Sequence, residues 1–425
     1  MKLRLLLLLL FTTASCSPPA EVKKSPDKSF AEFPPTSSLN SSDLDPIRTA
    51  VNGKKIVMMG ESMHLSSELP KAREKLIRNL HESGEFGLLL FEGSPVEFWI
   101  AEEEFLSTKP TMESAANFQR TALFGLWQTD EMRTVVDYAL RTQAGAGGSD
   151  LYMSSYDVQV GQGRRFNEGR GVFETLIELL KKRDQKISPE EREAILSLEG
   201  LVGCSRKKFP GSEEESQKAQ QGIEALAQVA GRASKSSEDL HERILAFLPE
   251  AVGYSLGLCS QANSETTRTY AEIRDEWASK QFLEMFSILG QKTLIWAHSD
   301  HVRQSSRTDR MKSFGAYVRQ NLPEAVFAIQ FTGATGSALA FKDGRGKEIE
   351  PVAKTLLPAE KVTLESKLSA LSPKDFFITS RDLPSEFGGQ ESTRSEPDGS
   401  TLIDPRRDFD GYYLVQQINP PRLRF

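Results

Sequence analysis

Lys55-Ile-Val-Met-Met-Gly-Glu-Ser-Met-His64 is the stretch on which the fold turns. An apolar run reaches Gly60 and gives way at once to Glu61 and His64, the pattern of a strand buried on both faces with polar groups at its carboxyl end. The pattern recurs in Gly87-Leu-Leu-Leu-Phe91, followed by Glu92 and Gly93, and in Lys292-Thr-Leu-Ile-Trp-Ala297, followed by His298 and His301. Strands of this kind belong to parallel sheets covered by helices. The runs therefore predict an α/β protein, a three-layer α/β/α sandwich with a mostly parallel central sheet. Such sheets bind ligands outside the carboxyl ends of their strands, where Glu61, His64, Glu92, His298 and His301 are expected.

Moving outward, Asp150–Tyr156 (before Asp157), Ala325–Phe331 and Gly411–Gln417 read as further strands, with Gly336–Phe341 and Phe376–Thr379 as edge strands. Between 162 and 290 no strand is evident. Charged stretches there carry apolar residues at helical spacing, such as Leu240, Ile244, Leu245 and Leu248. This predicts an inserted helical subdomain at 162–290 within a core made of 46–161 and 291–425. The polar segment 383–405 reads as a surface loop. No repeat at solenoid periods is present.

Residues 1–15 combine Lys2 and Arg4, a leucine run and small residues before Cys16, which predicts a secretory signal too short to span a bilayer. The residues before Cys16 resemble a bacterial lipobox, so the expectation is cleavage at Ser15–Cys16, a lipid on Cys16 and a membrane-anchored protein of the cell envelope. Residues 16–45, rich in Pro, Ser and Lys, read as a flexible tether. No later stretch is long and apolar enough for a transmembrane helix. Loss of residues 1–15 takes the formal charge from −6 to −8, and such an acidic chain argues against a nucleic-acid partner. With Cys16 lipidated, Cys204 and Cys259 remain, and an oxidising compartment permits a disulfide between them.

Ser66 to Pro70 supply cap candidates for a helix with Leu69, Ala72, Leu76 and Leu80 on one face. Arg73 in its first turns could reach back to a carboxylate or a developing oxyanion. Glu92 precedes Ser94-Pro95-Val96-Glu97, which reads as a capping box with proline at the first helical position. Two carboxylates and a histidine under opposed influences of burial and charge suit acid–base chemistry. His298-x-x-His301 leaves two possibilities. Glu61, His64, Glu92, His298 and His301 suit a divalent metal, or they form a metal-free network in which one histidine deprotonates water and others bind the oxyanion or leaving group. His81 and His241 sit in charged helical contexts and read as structural. The chain has no Walker phosphate loop, since GQGRR at 161–165 lacks its lysine, and no Gly-x-Ser-x-Gly nucleophile elbow. Ser62 reads as a turn residue.

Together, Gly60-Glu61-Ser-Met-His64, Arg73, Phe91-Glu92 and Trp296-Ala-His298-Ser-Asp-His301 resemble the erythromycin esterase family in letters and spacing. Tyr156-Asp157, Arg274-Asp275, Gly315-Ala-Tyr317 and Phe409-Asp410 extend the resemblance over roughly 45–420. It implies a hydrolase cleaving an ester or lactone, a small-molecule substrate, and no required cofactor. In that scheme His64 is the general base on water, oriented by Glu61 with Glu92. Arg73, His298 and His301 position the ester and stabilise the oxyanion, Asp157 and Asp300 contribute to substrate binding, and the helical insertion forms part of the cleft. Met63, Leu65 and Ser299-Asp300 depart from the residues common at those places, which changes the polarity of the pocket. The alternatives are a metal-dependent hydrolase using the same five ligands and a non-catalytic, ligand-binding lipoprotein.

Overall fold

In the computed structural model of the protein the described residues are 30–423, except 108–110, 146–148, 168, 170, 184–185, 203–211, 237, 263–267, 309–310, 341–351, 357–362 and 398. Their strands are β1 (Ala31–Glu32), β2 (Ile56–Glu61), β3 (Leu88–Phe91), β4 (Tyr152–Ser155), β5 (Thr293–His298), β6 (Ser306–Thr308), β7 (Met311–Lys312), β8 (Val326–Ala338), β9 (Lys354–Thr355), β10 (Phe376–Thr379), β11 (Glu391–Arg394), β12 (Ser400–Ile403) and β13 (Gly411–Ile418). Nine of them build one sheet in the order β1-β10-β13-β8-β2-β5-β3-β4, with β9 beside the end of β8. From β13 to β4 all neighbours on that path are parallel, while β1 and β10 are antiparallel at one edge. β6–β7 and β11–β12 are separate hairpins.

Alternate residues of the central strands feed two cores, as the period of two requires. Ile56, Met58, Leu88, Leu90, Ile295 and Ala297 enter one. Val57, Met59, Leu89, Phe91, Leu294 and Trp296 enter the other. Each large apolar side chain buried this way contributes about 1.5–3 kcal/mol, which is why the strand runs tolerate no polar residue before their carboxyl ends. The first core is covered by the helices Val172–Lys182, Glu213–Ala233, Leu240–Ala262, Tyr270–Leu289 and Phe314–Asn321. Glu68–Glu82, Met112–Ala122 and Asp130–Gln143 cover the second, and Pro95–Leu106 packs into both. The result is a three-layer α/β/α sandwich. Among the described residues from Arg164 to Leu289, regular structure is entirely helical.

The structure departs from expectation at several places. The segment read as a tether is folded well before residue 45. Ala31 and Glu32 pair with Phe377 and Phe376, and Phe33, Leu39 and Leu44 are buried. The Pro and Ser content hid these well-spaced apolar residues, so any tether ends near residue 30. Gly336 to Ala338 are the tail of the long strand β8, and Phe376–Thr379 is flanked by β1 and β13 rather than lying at the edge. The surface loop at 383–405 contains the β11–β12 hairpin, with Glu391, Thr393 and Arg394 buried. Ser94 caps its helix through Val96 N (3.2 Å), yet Glu97 closes no capping box and accepts instead from Gly161 N (3.1 Å) and Gly163 N (2.6 Å). Cys259 is buried and disulfide-bonded; Cys204, and with it the expected pairing, lies outside the described residues, as do residues 1–15 and Cys16.

Candidate active site

Parallel register sets the site. Glu61 is the last residue of β2 and pairs with His298, the last of β5, while Phe91 at the end of β3 pairs with Trp296. The motif residues thus leave adjacent strands at one level. Close approach completes the arrangement. A Cβ on Gly60 would lie 2.6 Å from Val302 Cγ2 and 2.7 Å from Ser299 Cα, so only glycine lets the short helix Ser299–Val302 settle over β2. That helix carries His301 beside the strand ends.

His64 is bound on one side only. Its Nδ1 lies 2.8 Å from Glu61 Oε1, so Nδ1 carries the proton and donates it, leaving the lone pair on Nε2. Glu61 is itself fixed: Oε1 also accepts from Trp127 Nε1 (3.2 Å), and Oε2 is paired with Arg73. Arg73 is wholly buried. It donates to Met59 O (3.0 Å) and Ala297 O (3.3 Å) and lies over the Trp296 ring at 3.5 Å. Of the carboxylate and the oxyanion that the sequence offers Arg73, the structure gives it the carboxylate, where the family resemblance implies the ester. Here its guanidinium faces Glu61 and two backbone carbonyls, so it acts through Glu61.

The second histidine presents the opposite polarity. His298 Nδ1 accepts from Asp300 N at 3.2 Å, so the proton of the neutral ring sits on Nε2. That nitrogen is buried without a hydrogen-bond partner among the described residues, and the ring centroid lies 4.8 Å from that of His64. Burial, the largest influence, pushes the His298 pKa down to about 3, so the ring stays neutral. The two adjacent imidazoles therefore offer a lone pair from one ring and an N–H from the other.

Behind them lies a charged lattice. His301 Nδ1 is 2.6 Å from Asp275 Oδ1, and its Nε2 is 3.3 Å from Glu92 Oε1. Burial opposes charge on His301, yet Asp275 and Glu92 outweigh it and raise the pKa. Glu92 also accepts from Arg274 Nη2 (2.7 Å) and from the backbone N of His298 (3.3 Å). Burial would raise its pKa, but His301 and Arg274 hold it well below the usual carboxylate range. Arg274 bridges on to Asp157, whose Oδ1 and Oδ2 lie 3.1 and 2.9 Å from Nε. Asp157 is buried and spent on that arginine, so it supports the site rather than lining it, whereas Asp300 is partly exposed and receives Ser395 Oγ at 3.4 Å.

One residue comes from the hairpin that read as surface. Glu396, between β11 and β12, places Oε1 3.9 Å from His64 Nε2 and 3.8 Å from His298 Nε2. Its φ of 73° makes it the only non-glycine residue at positive φ among the described residues, a conformation costing about 1–3 kcal/mol. Of the five residues weighed as metal ligands, only His64 and His298 join a cluster of ligating geometry, and the third member is Glu396, with ligand atoms within 4.8 Å of one another. The polarity does not fit a metal. An ion needs a lone pair from each ligand, and His298 offers a proton.

With this geometry in place, the comparisons are decisive about kinship: the model of the erythromycin esterase family matches residues 85–418. The chain belongs to the erythromycin esterase family. It is similar to the protein named "Putative hydrolase YbfO" of Bacillus subtilis (strain 168), 22% identical over 414 residues, covering 90% of this chain and 84% of that one. In structure it resembles a Bacillus cereus protein (TM-score 0.71, 15% identity, 93% of this chain and 97% of that one). It also resembles an erythromycin esterase, a mutant of EreC in its open conformation (TM-score 0.62, 16% identity, 91% and 96%). The chain is thus a hydrolase-family protein built on the erythromycin esterase fold.

For this erythromycin esterase relative, two participants escaped the sequence. Trp127 arrives from the 3₁₀ turn Gly125–Trp127, between helices of the β3–β4 connection, and Glu396 from the hairpin. Trp127 ends the apolar run 122–126, but that run closes a helix and a turn rather than a strand, and Glu396 follows no apolar run.

Proposed function

We propose that the protein hydrolyses a carboxylic ester or lactone of a small molecule by direct attack of water, with His64 as general base. The observation that carries this is the Glu61–His64 contact of 2.8 Å, with the far imidazole nitrogen turned toward a second, neutral histidine. Glu61, immobilised by Trp127 and Arg73, fixes the His64 tautomer and would stabilise the imidazolium formed when Nε2 takes a proton from water. The His298 Nε2–H then faces the tetrahedral centre as a preorganised donor for its oxyanion. As that centre collapses, His64 returns the proton to the leaving alkoxide. Glu92, kept anionic, holds the His298 backbone and His301 in place.

Export and lipidation at Cys16 remain part of the proposal, supported by the composition of residues 1–16. The test is a screen of the purified protein and a His64→Ala variant against a panel of esters and lactones, with and without chelator. Turnover by the wild type that resists chelation and is lost in the variant is expected. A folded variant as active as the wild type would refute the assignment of the base, and activity lost together with a stoichiometric metal would replace the mechanism.

A further inference from the structure

We infer that Glu396 is a third member of the catalytic site: together with His64 and His298 it forms a three-point seat for the attacking water. The inference rests on the esterase proposal for its chemistry and on geometry for its existence. Glu396 Oε1 lies beyond direct hydrogen-bonding range of both imidazoles, 3.9 Å from His64 Nε2 and 3.8 Å from His298 Nε2, the separation that one intervening oxygen fills. A water about 2.8 Å from both the His64 nitrogen and the Glu396 oxygen would open its two O–H bonds by roughly a right angle, near its own geometry.

Polarity agrees with distance. His64 Nε2 and the Glu396 carboxylate are acceptors, and His298 Nε2–H is a donor that is buried and without a hydrogen-bond partner among the described residues. A water there donates twice and accepts once. Its remaining lone pair is left for the carbonyl carbon. In the reaction that lone pair forms the new C–O bond, the carbonyl π pair moves to oxygen, and His64 takes one water proton. The other stays on the new acid group, with Glu396 as its acceptor. Collapse breaks the C–O bond to the leaving group, which receives the proton held by His64.

The hairpin is built to hold Glu396. Its backbone N–H donates to Ser62 O at 2.9 Å, tying the tip to the loop that carries Glu61 and His64. Below it, the buried Glu365 Oε1 accepts from Thr332 Oγ1 (2.9 Å), Thr393 Oγ1 (2.7 Å) and Arg394 N (3.0 Å), and Thr332 in turn receives Ser62 Oγ (3.0 Å). A left-handed backbone at a residue that bears a side chain is retained where the surroundings over-determine it, and such strain gathers at functional sites.

The experiment combines imidazole tautomers with kinetics. In the ¹⁵N-histidine-labelled protein, long-range ¹H–¹⁵N correlation is expected to show His64 protonated on Nδ1 and His298 on Nε2. Glu396→Gln and Glu396→Gly are each expected to lower kcat by at least about 30-fold, with KM within about threefold of wild type. The glycine variant relaxes the backbone, so equal loss in both separates carboxylate from conformation. A His298 protonated on Nδ1, stoichiometric binding of Zn²⁺ that Glu396→Gln abolishes, or a folded glutamine variant within threefold of wild-type kcat would each overturn the proposal. A wild type that hydrolyses nothing would bring down the esterase proposal alone, and the tautomers would still decide whether the seat exists.

Discussion

His64 and His241 both sit against glutamates, yet they use their rings differently. His241 is bound at both nitrogens, Nδ1 to Glu102 Oε2 (3.0 Å) and Nε2 to Glu103 Oε2 (2.9 Å), and stacks on Trp99 with centroids 5.2 Å apart. Arg183 joins Glu103 to Glu242 beside it, so the helices Pro95–Leu106, Val172–Lys182 and Leu240–Ala262 are clamped together. Among the described residues His64 is hydrogen-bonded through Nδ1 alone, with Glu396 Oε1 3.9 Å from its Nε2. A histidine whose donors and acceptors are all satisfied within the protein stabilises; one left half-satisfied is available for chemistry. Burial separates the two cases poorly, the side chains being 11% and 4% exposed. Saturation of hydrogen bonding does.

The contrast can be broken from either side. His64→Ala should lower kcat/KM by about 10²–10⁴-fold while leaving the melting temperature close to wild type, since a general base is worth that much. His241→Ala should do the reverse. Stripping the cation from the buried Glu102 should cost about 3–5 kcal/mol in denaturant unfolding and leave the kcat of the folded fraction unchanged. Equal damage to both properties in either variant would erase the distinction. Next in size, Glu61→Gln should lower kcat about 10–100-fold, because the group that fixes the His64 tautomer loses its charge.

The smallest effect concerns pH, where the two neutral-range behaviours have opposite signs. Burial opposes charge on His241, but Glu102 and Glu103 raise its pKa to about 9, above the unfolded value of about 6.5. Its contribution is therefore complete below pH about 6.5 and lost as pH rises through 9. His298 has its pKa lowered to about 3, so the unfolded chain binds the proton first and stability falls as pH drops from about 6.5 toward 3. Melting curves across pH should lose part of the alkaline decline in His241→Gln and part of the acid decline in His298→Gln. A shared profile would contradict the assignment.

Much of this was written in local sequence, and the limit is instructive. Residues 55–64, 87–93 and 292–301 announce themselves because a doubly buried strand must be apolar and stops being so where it meets solvent. The placement of Glu61 opposite His298 then follows from parallel register. Arg73 was legible as a site residue but not in its orientation, because helical periodicity gives a face and not the carbonyls waiting beneath it. Trp127 and Glu396 were not legible at all. They reach the cleft through tertiary packing of a helix connection and a hairpin, and Glu396 sits in a polar segment whose buried members, Thr393 and Arg394, pair with a glutamate about thirty residues away in sequence.

The two-residue strand β1 has a mechanical meaning. In a chain anchored through Cys16, any pull from the membrane enters the fold just before Ala31. Load then falls first on the short antiparallel pairing with Phe377 and Phe376, which opens as a zipper rather than resisting in shear. Three strands, β10, β13 and β8, stand between that edge and β2. With the anchor proposed at Cys16, this edge would yield under tension before the register of Glu61 and His298 is disturbed.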